Sequence, residues 1–328
     1  MRCLALATFL AAITIGVPAE AASCPGNRQA LGTSRVLAIS PRDYSRIGGM
    51  QYSQFPQLPL NDHEVVLTFD DGPLPPYSDS VLKTLAAECV KATFFIIGRQ
   101  ANQFPDMVRR AYTEGHVIGT HSQNHPLTFD QMPLARAQSE IDSGIASVSA
   151  ALGNPRAVAP FFRIPGLLRI AEVDSYLGSR SIAIWSADFD ADDWYRVATP
   201  ESIVQKAMAR LNRKGRGVLI LHDVQPATAL ALPQLLKELK AGGYRIVQVV
   251  PEGKRPLLHS PQVAGPPIRT RKAGRAGSAR RRRRPATAEK QVGLPTARRR
   301  HGATPTMIRY VGVRKAGNDN QERSKRAV

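Results

Sequence analysis

The stretch VVLTFDDGP, residues 65–73, places four apolar or nearly apolar residues and Phe69 ahead of two adjacent carboxylates and a Gly-Pro turn. An apolar run of this length, closed by Gly and Pro, is typical of a buried β-strand that ends in a loop. Two neighbouring carboxylates at the end of a buried strand repel each other, so at least one needs a cation or is driven toward protonation. The stretch therefore predicts a strand whose carboxyl end carries a charged site.

Similar apolar runs alternate with amphipathic stretches from this strand onward. Seven segments are predicted as strands: Val65–Phe69, Thr93–Ile97, His116–Thr120, Phe161–Ile164, Ser181–Trp185, Gly217–Leu221 and Arg245–Val249. Six helical segments lie between them: Ser78–Cys89, Ala101–Glu114, Phe129–Leu152, Leu168–Leu177, Thr199–Arg213 and Ala227–Ala241. Alternation of this kind indicates parallel strands with helical crossovers, and seven such units predict a barrel-like α/β domain.

Polar side chains recur where the predicted strands end. In parallel α/β architectures the carboxyl ends of the strands carry the functional groups. The residues concerned follow five different strands: Asp70 and Asp71, His121 and His125, Arg163, Asp188, and His222 with Asp223. Each alone has an ordinary explanation as a turn, capping, ion-pair or core residue. Their joint occurrence at successive strand ends predicts one shared site.

His121 and His125 are four residues apart in GTHSQNHP, so on one helical turn or in a tight loop both imidazoles can point to the same side. An H-x-x-x-H pair alone is weak evidence for a metal, because that spacing recurs by chance. With a carboxylate it makes three ligands and leaves a fourth position for water, as in catalytic zinc sites. Asp71, His121 and His125 are therefore the predicted ligands of a divalent metal, with Zn²⁺ expected.

Five segments now stand out in order: TFDDGP at Thr68–Pro73, HSQNH at His121–His125, FRIPG at Phe162–Gly166, WSADFDADDW at Trp185–Trp194 and LILHD at Leu219–Asp223. They resemble the five ordered motifs of polysaccharide deacetylases, the NodB-homology enzymes of carbohydrate esterase family four. The resemblance covers residues 64–250. It implies a distorted barrel of seven β/α units, a divalent metal that is usually zinc, and hydrolysis of N-acetyl, sometimes O-acetyl, groups on glycans.

The resemblance also implies a role for each matching residue. Asp70 resembles the catalytic base, and Arg163 the partner that holds this base ionised. Asp71, with the two histidines, resembles the metal triad. His222 resembles the general acid that protonates the departing amine, and an aspartate of the fourth motif resembles its partner. A backbone N–H near Pro165 and Gly166 is expected to help hold the oxyanion.

Two departures from the family pattern concern the third and fourth motifs. Gly166 follows Pro165 where many members have an aromatic residue, so oxyanion and substrate contacts are expected to differ. The fourth motif packs Asp188, Asp190, Asp192 and Asp193 between its two tryptophans. We expect Asp188 to be the partner of His222, with Asp193 as the second choice. Among the aromatic residues, Trp194 is expected at a sugar-binding groove, whereas Phe161 and Phe162 read as core.

The amino terminus has the pattern of a secretory signal. Arg2 precedes an apolar run from Leu4 to Gly16, and Ala19-Glu20-Ala21 supplies an A-x-A cleavage pattern, so residues 1–21 are predicted to be removed. The protein is therefore expected to be exported, to the periplasm, the cell envelope or the medium, without a transmembrane span in its mature form. A lipid anchor on Cys24 is a weaker alternative. Residues 22–63 form an N-terminal segment, and Cys24 and Cys89 permit one disulfide that sequence cannot assign.

Residues 251–328 hold 21 of the 45 basic residues and four of the 26 acidic ones, and so carry 17 of the 19 net positive charges. Rich in Arg, Pro, Gly and Ala, they are expected to form a disordered tail. Because the tail has Tyr310 as its one aromatic residue, no specific nucleic-acid partner is expected. Anionic envelope polymers or lipid head groups are the expected partners, against the alternative of a solvated tail with no partner.

These observations predict an exported, metal-dependent glycan deacetylase acting on an acetylated polysaccharide such as chitin oligomers or peptidoglycan. The alternative is a catalytically silent envelope protein that only binds glycan. Base, acid and all three ligands are present in the sequence, and a binding-only protein would be free to lose Asp70 or His222, so the enzyme is favoured.

Overall fold

A computed structural model describes residues 24–253 of the chain. The predicted signal peptide, residues 1–21, and the Arg-rich tail beyond Gly253 lie outside the described residues. The described residues contain ten strands: β1 Thr33–Ile39, β2 Arg46–Ile47, β3 Glu64–Asp70, β4 Thr93–Ile96, β5 Val117–Thr120, β6 Phe161–Phe162, β7 Ala183–Trp185, β8 Phe189–Asp190, β9 Gly217–His222 and β10 Arg245–Pro251. Every pairing between them is parallel, as the predicted crossovers require.

The helices cross between these strands. They are α1 Gly49–Tyr52, α2 Tyr77–Ala87, α3 Gly98–Gln103, α4 Pro105–Thr113, α5 Leu134–Leu152, α6 Ala171–Ser179, α7 Pro200–Lys214 and α8 Pro226–Ala241. The boundaries follow local chemistry. Thr199 and Ser202 form a reciprocal capping box at the start of α7, and Gly215, at a φ of 79°, ends that helix in the left-handed conformation that glycine favours.

Within residues 24–253 one series of pairings runs from β8 through β9, β3, β4, β5 and β6 to β7, and we call this series the ring because the chain itself joins its two ends. From β3 the order passes through β4, β5, β6 and β7, while on the other edge β3 pairs with β9 and β9 with β8. The single stretch from Ala183 to Asp190 supplies both β7 and β8, so it joins the two ends of the series. Strands β10 and β1 add to the start of β3, outside this ring.

The two faces of β3 show why its sequence is so apolar. Val65, Leu67 and Phe69 pack in the cluster that includes α2, α7 and α8 side chains, whereas Val66 faces the interior cluster with Phe95 and Trp185. Successive strand residues point to opposite faces, so Thr68 and Asp70 share the interior side with Val66. The interior of the ring therefore turns from apolar to polar along β3 toward its carboxyl end.

The α/β class and the seven predicted strands are confirmed. Three strands, β1, β2 and β8, were not predicted. The two-residue strands β2 and β8 give no periodic signal, whereas the alternating pattern of β1 was missed. The predicted helix Ala101–Glu114 is two helices, because Pro105 starts a new one and pushes Phe104 out of helical backbone geometry, at φ −130° and ψ 56°.

The N-terminal segment is fastened to the domain by a disulfide. Cys24 and Cys89 are bonded, with their Cα atoms 5.7 Å apart, so the pairing left open by the sequence is settled. Farther along, β1 pairs with β10 over Thr33–Ile39. Within residues 24–253, no helix combines the length and the apolar run that a bilayer crossing requires.

Candidate active site

The paired carboxylates lie at the end of β3, at the polar end of the ring. Asp70 is level with His222 on β9 and with Phe95 on β4. Asp71 follows with a φ of 76°, which turns the chain out of the strand. Both side chains are at least 98% buried, Asp70 at 2% and Asp71 at 0% exposure. The buried pair of carboxylates inferred from the sequence is thus present at the rim.

The predicted metal ligands converge on Asp71. Its Oδ1 lies 3.3 Å from His125 Nε2 and 3.5 Å from His121 Nε2, and one ligand atom from each residue fits within 4.8 Å of the others. The two histidines lie in a tight loop after β5, in which Ser122 Oγ accepts a hydrogen bond from the His125 N–H. All three side chains are buried.

This donor set fits a divalent metal. Two ligand atoms that are each about 2.0–2.1 Å from a zinc ion, at a tetrahedral angle, lie about 3.3–3.4 Å apart, which matches both carboxylate–imidazole distances. His121 Nδ1 donates to the backbone oxygen of Arg163 at 2.6 Å, which leaves Nε2 with its lone pair toward Asp71. Burial, reinforced by His125, holds the pKa of His121 well below its usual range, so this imidazole is neutral and able to bind a metal.

Arg163 connects the end of β3 to the segment that follows β7. Its Nη1 donates to Asp70 Oδ1 at 2.6 Å and to Thr68 Oγ1 at 2.9 Å, and its Nη2 donates to the Ser186 oxygen at 2.8 Å. The guanidinium carbon lies 4.3 Å from the centre of the Phe95 ring, and the whole side chain is 0% exposed. Burial raises the pKa of Asp70, and the Arg163 charge opposes that rise. Asp70 is therefore a buried carboxyl whose ionised form is favoured by Arg163 and also by His222.

His222 is paired with Asp193, not with Asp188, which corrects the first choice made from the sequence. Its Nδ1 donates to Asp193 Oδ1 at 2.8 Å, and its backbone N–H donates to Asp193 Oδ2 at 2.7 Å. Asp188 instead accepts from the backbone N–H groups of Gly49 and Val218 and from Lys214 Nζ. Asp188 cannot serve both roles, because its two oxygens already fasten the start of α1 and strand β9 to the fourth motif.

The surroundings of His222 favour its protonated form. Burial lowers the pKa of His222, but the charge and hydrogen bond of Asp193, with contributions from Asp71 and Asp70, outweigh burial and raise it to about 10. The pair is completed by Thr228 Oγ1 on the first turn of α8, which donates to Asp193 Oδ2 at 2.6 Å. Thr228 was missed in the sequence, where a threonine six residues after a histidine carries no recognisable signal.

A further buried carboxyl, Asp223, lies against Gly72. An added Cβ on Gly72 would fall 2.2 Å from Asp223 Oδ2, so glycine is required for this close approach. Burial raises the pKa of Asp223 to about 7. The sequence placed Asp223 at a strand end, but it did not predict the contact with Gly72.

The aromatic residues singled out in the sequence differ in burial. Phe161, Phe162 and Trp185 are buried in the core, whereas Trp194 is half-buried and stacks on the exposed Tyr195 with ring centres 3.8 Å apart. In the third motif, Gly166 has a φ of 59° and Leu167 a φ of 56°, and the N–H groups of Leu167 and Leu168 donate to Ile164 and Pro165 within the turn.

Comparisons with known proteins agree with this geometry. The family model "Polysaccharide deacetylase" matches residues 57–179. A Bacillus cereus peptidoglycan-N-acetylglucosamine deacetylase is 33% identical over 191 residues, which cover 54% of this chain and 66% of the relative. A Rhizobium leguminosarum bv. trifolii chitooligosaccharide deacetylase is 31% identical over 180 residues, which cover 52% of this chain and 77% of the relative.

Among solved structures, the Bdellovibrio bacteriovorus peptidoglycan deacetylase Bd3279 superposes with a TM-score of 0.60 at 28% sequence identity, over 69% of this chain and 61% of that chain. The chain thus spans less than two thirds of two of these three proteins. The residues that the family model matches include strands β3 to β6 and the buried Asp, His and Arg residues at their ends. The chain belongs to the polysaccharide deacetylase family.

Proposed function

We propose that this protein is an exported, zinc-dependent deacetylase that hydrolyses N-acetyl groups on a cell-envelope or extracellular glycan. The observation that carries the proposal is the convergence of three units on one rim: Asp70 bonded to Arg163, the Asp71–His121–His125 set, and His222 bonded to Asp193. Amide hydrolysis needs a base for water, a stabiliser for the oxyanion and an acid for the amine. These three units match those three requirements.

Asp71, His121 and His125 would hold the metal. When bound, a zinc ion supplies Lewis-acid polarisation of a carbonyl and lowers the pKa of a water molecule toward 7. The backbone oxygen of Arg163 fixes the His121 ring in the required tautomer. Arg163 therefore links the metal ligands to the base.

Asp70 is assigned as the general base that takes a proton from the attacking water. Its Oδ2 lies 3.7 Å from His121 Nε2, so it faces the ligand set, while its Oδ1 is bonded to Arg163. A carboxyl pKa raised by burial makes a stronger base, and the arginine keeps the carboxylate available. The Gly166 N–H is the candidate oxyanion donor in the third motif, since Pro165 has no N–H and the next two N–H groups are used within the turn.

His222 is assigned as the general acid that protonates the departing amine. Asp193 bonds Nδ1, so Nε2 is the nitrogen that carries the transferable proton. A pKa near 10 keeps that proton in place at neutral pH. Asp193 therefore has the role first given to Asp188.

The glycan is proposed from the relatives. One relative is named for peptidoglycan N-acetylglucosamine and another for chitooligosaccharide, and both compounds present acetamido sugars. Export is proposed from the signal-like residues 1–21, and attachment to anionic envelope polymers or lipid head groups from the basic residues 251–328. O-acetyl groups are an additional substrate class to be tested beside the N-acetyl groups.

Acetate release by the purified protein tests the proposal. Peptidoglycan, chitin oligomers and an O-acetylated xylan would be offered to the wild type, to the chelator-treated protein and to the same protein after zinc is restored. We expect release that stops with chelator and returns with zinc, and none from Asp70→Asn prepared in parallel. Tight glycan binding without release from any substrate, by protein shown to contain metal, would favour a silent binding protein.

A further inference from the structure

Three of the four aspartates in the fourth motif face helix α7, and the fourth faces His222. Asp188, Asp190 and Asp192 alternate along the chain, and each pairs with a basic side chain of α7. Asp193, one residue after the last of them, pairs with His222 instead. The acid-rich motif is therefore two sets of carboxylates with different partners.

The basic partners form one row on α7. Lys206, Arg210 and Lys214 are four residues apart, a spacing that places them on the same face of a helix. Lys214 Nζ lies 2.7 Å from Asp188 Oδ1, and Lys206 Nζ lies 3.1 Å from Asp192 Oδ2. Arg210, in the middle, pairs with both Asp190 and Asp192. The helix thus holds the motif segment along its length.

Arg210 makes the most extensive contact in this row. Nη1 donates to the Asp190 backbone oxygen at 2.9 Å, to the Asp190 carboxylate and to Asp192 Oδ1 at 3.1 Å, and Nη2 donates to Asp192 Oδ2 at 2.9 Å. The two bonds to Asp192 form the planar fork that a guanidinium makes with a carboxylate. About a third of the Arg210 side chain is exposed, so the pair adds little to stability and its effect is on geometry.

That geometry matters because Asp192 has an unusual backbone. Its φ of 54° lies in the left-handed region, which is uncommon outside glycine although aspartate tolerates it better than most residues. The next residue, Asp193, must present both oxygens at once, Oδ2 to the backbone N–H of His222 and Oδ1 to its Nδ1. Because the Arg210 guanidinium holds the Asp192 carboxylate, it also restrains the turn from which Asp193 extends.

We propose that Arg210 is a positioning residue, which clamps Asp190 and Asp192 and so holds Asp193 against His222. The kinetic consequence rests on the proposed function, in which His222 is the general acid. The structural consequence rests on geometry alone, and it is read from the His222 backbone N–H, which donates to Asp193 Oδ2.

The test compares Arg210→Gln and Arg210→Lys with Lys214→Met, a matched loss of a basic α7 residue whose partner, Asp188, is far from the His222 pair. For Arg210→Gln we expect kcat to fall about tenfold with KM within about twofold, as for partial loss of an acid catalyst. Arg210→Lys, which keeps the charge without the fork, should lose about threefold. Lys214→Met should stay within about twofold of wild type. If Arg210→Gln does not fold, Arg210→Lys is compared with Lys214→Met instead.

A double-variant cycle gives the decisive readout. In an Asp193→Asn background, Arg210→Gln should change kcat by less than about twofold, because the contact through which it acts is already gone. Multiplicative losses, or equal losses in Arg210→Gln and Lys214→Met, would overturn the inference.

Amide hydrogen exchange separates this inference from the proposed function. The His222 amide should exchange at least about tenfold faster in Arg210→Gln than in wild type, with the Leu221 amide and Lys214→Met unchanged. Faster exchange in a protein that deacetylates no substrate would support the clamp and reject the enzyme. Unchanged His222 exchange in an active enzyme would reject the clamp.

Discussion

Replacing Asp193 with asparagine isolates the charge that keeps His222 protonated. Asparagine keeps the shape of the side chain but removes the carboxylate that bonds Nδ1 and the backbone N–H of His222. The pKa of His222, raised to about 10 in the wild type, should fall toward or below the ordinary value of 6.5, because burial lowers it and the largest opposing charge is gone.

The size of the effect follows from the protonated fraction. At pH 8 a histidine with a pKa of about 10 is about 99% protonated and one with a pKa of about 6.5 is about 3% protonated, a difference of roughly thirtyfold. At pH 6 the same two groups differ by less than about 1.5-fold. The loss in kcat should therefore be small in acid and grow steadily as the pH rises.

The assay is kcat against pH from 5.5 to 9, by acetate release, for wild type, Asp193→Asn and the control Asp188→Asn. Asp188 touches Gly49, Val218 and Lys214, so its variant should keep the wild-type pH profile even if it is less stable. A wild-type to Asp193→Asn ratio that stays constant across the pH range would refute the assignment of His222 as a proton donor tuned by Asp193. A loss of kcat that grows with pH in Asp188→Asn instead would restore the first choice made from the sequence.

Three further predictions concern the ligands, the disulfide and Gly72. Asp70→Asn should abolish turnover but retain the metal, whereas His125→Ala should lose both turnover and metal, as measured by acetate release and metal content. Equal metal loss in the two variants would mean that the roles of base and metal ligand have been assigned the wrong way round. Removing the disulfide in Cys24→Ser/Cys89→Ser should lower the free energy of unfolding by about 4 kcal/mol in the chain-entropy account, since the bond closes a separation of 65 residues. Denaturant unfolding curves that coincide with those of the wild type would contradict this prediction. Gly72→Ala should lower the free energy of unfolding by about 1–3 kcal/mol, because the added Cβ forces the Asp223 carboxylate away. Adding Asp223→Ala to this variant should recover part of the loss in thermal melts, and no recovery would show that the strain lies elsewhere.

The sequence predicted the features that depend on residues close together along the chain. The apolar run before Asp70 predicted β3, and the helix stops at Gly153 and Gly215 agree with the left-handed caps that glycine favours. The positions of Asp71, His121, His125 and Arg163 at strand ends followed from the rule that parallel strands share one functional edge. These features depend on local order along the chain.

The pairing of His222 could not be read in the same way. Four aspartates within six residues have equal chemistry, and only the left-handed turn at Asp192 decides which of them faces the histidine. That turn is held by Arg210, which lies on a helix some twenty residues later. The disulfide was ambiguous for the same reason, because the approach of Cys24 to Cys89 is made by the fold and leaves no trace in the spacing.

The fully buried Arg163–Asp70 pair has a consequence for the evolution of thermal resistance in this chain. Taking two charges out of water is costly, and apolar replacement of a whole buried ion pair is often neutral or stabilising by about 1–4 kcal/mol, while removing one member costs about 3–5 kcal/mol. A selection for heat tolerance alone would therefore favour the loss of both charges together, and with them the proposed base Asp70. Persistence of the pair in active relatives would mark a protein kept below its stability optimum by its chemistry.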